Sequence, residues 1–184
     1  MKKFVSRRKG FTLVELLIVI VVIGILSAMM MLSSSEAVSS AKATAIISDL
    51  RSLKTAALAY FADNFDTYNG KTNASNSTNE ISTNKNKDEW EKVISYLNGK
   101  DSPTQSSYKL LTDGNGNAWY VEISISGTGD GITPLYSNKN SSECIAVKKK
   151  LAGRAKSAGL LMDRKLTELT PYDGEYDYIL MLVQ

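Results

Sequence analysis

The chain has 184 residues, with 22 Lys and Arg against 19 Asp and Glu, one cysteine and no histidine. That length allows one modest folded domain beside any membrane segment. A single cysteine closes no intrachain disulfide, and without histidine imidazole catalysis and the usual zinc sets are excluded.

Residues 1–10 form a basic head. Lys2, Lys3, Arg7, Arg8 and Lys9 account for more than the net charge of +3, and the remainder of the chain stands at −2. The overall pI is therefore no argument for a nucleic-acid partner. An apolar run follows over residues 11–32. As a helix it is about 33 Å long, enough to cross a hydrocarbon core of about 30 Å. It is too long for the apolar part of a cleaved export signal. The nearest small-x-small site, Ala41-Lys42-Ala43, lies well beyond its end. Ser6-Arg7-Arg8 hints at a twin-arginine signal, but its spacing to Phe11 is wrong.

A retained membrane helix is the remaining reading, with the arginines held inside. A plain anchor leaves Glu15 unexplained, because a carboxylate deep in lipid costs about 2.5–3.5 kcal/mol, and less near an interface. Pairing with a cation on a neighbouring subunit offsets that cost, since such a pair is strong at low dielectric. Cleavage after Gly10 creates an amine on Phe11, an obvious partner.

Lys9-Gly10-Phe11-Thr12-Leu13-Val14-Glu15-Leu16, followed at once by the apolar helix, resembles the leader of type IV prepilins and type II secretion pseudopilins. The resemblance covers about 30 residues. It implies a prepilin peptidase that cuts between Gly10 and Phe11 and methylates the new Phe11 amine. It implies that Glu15, assisted by Thr12, meets the amine of an adjoining subunit during assembly. The implied partners are that peptidase, other pilin or pseudopilin subunits, an inner-membrane assembly platform and membrane lipid. The implied location is the inner membrane, single-pass, with the head outside the cytoplasm and then in a filament. Many relatives carry a proline near the end of the apolar run. Leu32 and Ser33-Ser34-Ser35 stand there instead, which leaves open a kink or local melting around Gly24.

Residues 33–65 are read as a continuation of the same helix, about 80 Å in all. Ile46, Leu50, Leu53, Ala57 and Phe61 recur at helical spacing, widened by Ile47 and Leu58, with Lys42, Asp49, Ser52 and Asp63 opposite. Residues 66–184 form the expected globular head. Residues 67–87 read as a solvated loop, in which the sequons at Asn73 and Asn76 are loop composition. A short helix is expected over 87–97, with Trp90, Val93, Ile94 and Leu97 on one face and Asn98-Gly99 ending it. Residues 113–117 read as a tight turn, weakly similar with Tyr120 to an element of major pseudopilins. A strand over 118–126 alternates Trp119, Val121, Ile123 and Ile125 with polar neighbours. Residues 127–134 form a glycine-rich loop without the Lys-Ser/Thr pair of a phosphate loop.

A helix over 142–155 places Ile145, Val147 and Leu151 among its apolar positions and Cys144 as a small buried residue. Lys148-Lys149-Lys150, Arg154 and Lys156 read as a solvated face with favourable charge near the C-terminus rather than a nucleic-acid surface. Two final strands are expected over 160–162 and 176–183, the second continuously apolar.

The expected fold is α+β: a long N-terminal helix, half transmembrane, packed on a small, mainly antiparallel sheet with two short extra helices. The expected function is structural, as a subunit of a type IV pilus or pilus-like filament. A type II secretion or competence pseudopilin is the alternative within the family. A membrane-anchored periplasmic or surface domain is the alternative outside it. No enzyme activity, catalytic residue, cofactor or metal is expected. Calcium was weighed at Asp113, Asn115 and Asn117, with Asp173, Glu175 and Asp177 as further ligands. Ala118 and Ser124 stand where a calcium loop needs Gly and Glu, which favours the tight turn.

Overall fold

The computed structural model describes residues 10–64, 80–81, 87–97, 107–112, 118–127, 133–162 and 169–183. The basic head before Gly10, the two sequons, Asn98-Gly99, the 113–117 turn and the centre of the glycine-rich loop lie outside them. The chain divides into two compact units, Met1–Val38 and Ser39–Gln184.

Helix α1 runs over Leu13–Asp63 without interruption. It passes Gly24 and the serines at 33–35, so neither a break nor a melted turn occurs there. Its first unit is apolar all round, and its side chains from Phe11 to Met31 are exposed. A helix hydrophobic on every side requires lipid or other helices around it. In the second unit the pattern becomes one-sided. Ala43, Ile46, Ile47, Leu50, Leu53, Ala56, Ala57, Tyr60 and Phe61 are buried. Leu58, expected at the edge of that stripe, is 38 % exposed. Asp49, placed on the polar side, accepts a 2.9 Å hydrogen bond from the Tyr108 hydroxyl.

Five strands form one antiparallel sheet in the order β1-β2-β3-β5-β4: β1 Glu80–Ile81, β2 Tyr108–Thr112, β3 Trp119–Ser124, β4 Leu160–Leu161 and β5 Tyr178–Leu182. β1 lies within the stretch read as loop. Two residues paired to Leu110 and Leu111 leave too little periodicity to see in sequence. Helix α2, Lys87–Ser95, buries Trp90 and Val93. Helix α3, Ser142–Ala158, starts where the Ser141 hydroxyl accepts from the Cys144 N–H. It stops at Gly159, whose φ of 70° is the left-handed conformation a helix end favours.

The inner sheet face, with Tyr108, Leu110, Val121, Ile123, Ile179 and Met181, joins the α1 stripe and α3 in one core. On α3 that core takes Cys144, Val147, Leu151 and Ala155. Ile145 is instead 54 % exposed, because Cys144 occupies the inward position one residue earlier.

The outer sheet face is buried as well, contrary to the simple alternation expected of β3. Leu111, Tyr120, Leu161 and Leu180 form a second cluster there. Lys109 and Glu122, direct cross-strand partners, lie on this face and form a 3.2 Å ion pair. Pairing makes burial of two charges tolerable. The continuous apolar run of β5 fits, since that strand is covered on both sides.

Lys148 corrects the reading of the basic run as uniformly solvated. It is buried, and its Nζ donates to Asp177 Oδ1 at 2.6 Å. The same oxygen accepts from Ser126 Oγ at 2.6 Å, while the Asp177 carbonyl accepts from the N–H groups of Ile125 and Ser126. One aspartate thus joins α3, the end of β3 and the entry to β5.

Candidate assembly and processing site

Gly10, Phe11 and Thr12 precede the first helical residue and are exposed. A Cβ at Gly10 would meet nothing within 4 Å. The Gly10–Phe11 bond therefore lies in open backbone ahead of the helix. Phe11 is 90 % exposed.

Thr12 and Glu15 are brought together by the start of α1. Glu15 Oε2 accepts from the Thr12 N–H at 2.8 Å and from the Thr12 hydroxyl at 2.8 Å. In return Thr12 Oγ1 accepts from the Glu15 N–H at 3.2 Å. This is a reciprocal capping box. It satisfies N–H groups that a helix start leaves without partners, and it puts a carboxylate at the positive end of the helix dipole.

The spacing Thr-x-x-Glu is the sequence signature of such a box. Even an isolated anchor therefore gains a helix cap from Glu15. The box leaves the carboxylate exposed at the helix start, and among described residues 10–38 the only other charged side chain is Glu36. Among the described residues of this unit there is no cation to neutralise either acid.

Residues 5–31 match the family model described as the prokaryotic N-terminal methylation motif. The chain carries the type IV pilin and pseudopilin signature. That signature is a structural one, implying processing by prepilin peptidase and assembly with other pilins. No curated protein and no solved structure matches the chain. Beyond the signature, the fold is pilin-like in architecture, a long N-terminal helix and a small antiparallel sheet. The apolar helix has the length and composition of a single-pass anchor.

Among the described residues no group of three or more acids or cysteines is arranged to hold a metal. Of the acids weighed for calcium, Asp177 is engaged by Lys148 and Ser126, and Asp173 Oδ1 accepts from the Glu175 N–H at 2.9 Å. Asp113, Asn115 and Asn117 lie outside the described residues.

Proposed function

We propose that this chain is a structural subunit of a type IV pilus or pilus-like filament. It is cut after Gly10, N-methylated on Phe11 and polymerised through its N-terminal helix. The observation that carries this reading is the exposed, non-helical Gly10–Phe11 bond set four residues before the capped Glu15 carboxylate.

Each element has a task under this reading. The basic head holds the unprocessed chain on the cytoplasmic side, and cutting removes its five positive charges. The apolar helix exchanges lipid for the helices of other copies. Glu15 pairs with the new amine of an adjoining copy, and Thr12 holds the carboxylate in place until it does. The head stands outside the cytoplasm. The energy of polymerisation comes from the assembly platform.

N-terminal sequencing and intact mass of the membrane-derived protein test this. A chain beginning at N-methylated Phe11 supports it. A chain retaining the basic head, in cells with an active prepilin peptidase, reduces the protein to a tethered domain.

A further inference from the structure

Within the second unit, α1 and α3 border a groove of about 530 Å³, lined by Thr44, Ser48, Arg51, Thr55, Arg154 and Ser157 among others. Among the described residues its cations meet no anion. Arg154 donates from Nη1 to Thr44 Oγ1 at 2.6 Å and from Nη2 to Ser40 Oγ at 2.7 Å, both neutral acceptors. Arg51 is exposed, and among the described residues no acceptor meets its guanidinium. Among the described residues no carboxylate lines the groove. The hydroxyls of Thr44, Thr55 and Ser157 donate to carbonyls of their own helices, so the guanidinium groups, with the Ser48 hydroxyl, are the donors left for an incoming anion. The volume far exceeds the share of a single water, about 30 Å³, and suits a peptide loop better than a lone small anion.

A complementary feature lies on the other flank of α3. Ile145, Lys149 and Ala152 border a cleft with Asp173, Gly174 and Glu175. At about 100° per residue these helix positions face away from Arg154 and Ser157. Asp173 and Glu175 are exposed, and the chain turns between them at Gly174, φ 96°. Asp177 is taken by Lys148, but neither Asp173 nor Glu175 forms an ion pair among the described residues.

We propose that the Asp173–Glu175 loop of one copy docks in the Arg51–Arg154 groove of the next. This rests on the filament reading above and adds a head-to-head register to it. Two different patches on opposite flanks of one helix make a heterologous contact, which leaves a free patch at each end of a pair. Such heterologous contacts propagate, as a filament requires.

The test uses the full chain in its native membrane, with a photo-reactive benzophenone residue replacing Ser52 in the groove or, separately, Val19 in the apolar helix. At Ser52 the expected adduct is a second copy, mapped by mass spectrometry to residues 171–177. Arg51→Glu lowers its yield at least tenfold, Arg51→Lys retains it, and adding Glu175→Arg to Arg51→Glu restores most of it. Adducts only with lipid, nucleic acid or other proteins overturn the proposal. So do equal losses for Arg51→Lys and Arg51→Glu, or no recovery on charge exchange. Copy-to-copy adducts at Val19 but not at Ser52 overturn the groove contact alone. Their absence at both positions overturns the filament reading with it.

Discussion

Glu15 Oε2 accepts two hydrogen bonds from Thr12, one from its backbone N–H and one from its hydroxyl, each 2.8 Å long. The carboxylate is therefore a helix cap before it is anything else. Capping and charge are separable, because Gln serves in a capping box and carries no charge.

Glu15→Gln is expected to keep helix content and membrane insertion while lowering filament incorporation at least tenfold. Glu15→Ala should lose incorporation and the carboxylate half of the capping box, while Thr12 Oγ1 still accepts from the backbone N–H at position 15. Sheared-filament yield beside membrane fractionation measures this. Normal filaments from Glu15→Gln would show that the acid serves only as a cap.

The Lys148–Asp177 contact predicts an acid-sensitive head. Burial pushes the Asp177 carboxyl up, but hydrogen bonds from Lys148 and Ser126 outweigh it and hold the group below its usual range. A depressed folded pKa contributes stability above the ordinary carboxylate range, about pH 4, and that stability is lost as pH falls through the folded value. Asp177→Asn should flatten this part of the urea-stability profile in detergent. Its cost at neutral pH should be about 1–2 kcal/mol, below that of a fully buried pair because the aspartate side chain is 42 % exposed.

Tyr108 predicts the opposite limb. Burial first, then the Asp49 carboxylate and the hydrogen bond to it, push its phenol far above the ordinary range. Tyr172 is raised too, chiefly by burial. A raised folded pKa gives stability that is intact below the unfolded value, about pH 10, and declines as pH rises beyond it. Tyr108→Phe should cost about 1 kcal/mol at neutral pH and reduce the alkaline slope, with Tyr172 leaving a residue of it. Denaturant melts between pH 8 and 11 resolve the difference.

The revised α1 stripe makes a packing prediction. Leu53 is fully buried, so Leu53→Ala should destabilise the head by about 2–5 kcal/mol. Leu58→Ala, at a partly exposed position, should cost well under half as much. Equal losses in urea titrations would return Leu58 to the core.

Much of this protein was legible in order along the chain. Phe11 to Met31 announces by composition alone an apolar helix long enough to cross a membrane, and Gly10, Phe11 and Glu15 fall within the methylation-motif match. These are local properties, carried by neighbours in sequence. The stripe from Ile46 to Phe61 shows a buried face because a helix repeats every 3.6 residues. It does not show how wide that face is, so Leu58 was placed inside. The same limit hides that Lys148 of the basic run is buried.

Pairing across the chain had no local trace. Lys109 faces Glu122, Lys148 reaches Asp177, and Tyr108 reaches Asp49 only after strands and helices have assembled. Sequence alone determined the long apolar helix, its methylation-motif signature and the α+β class, since periodicity and motif spacing are written residue by residue. Tertiary structure alone decided the strand order, the burial of the outer sheet face and which charges are paired. A period reveals that a face exists, but what covers it depends on residues far away in the chain.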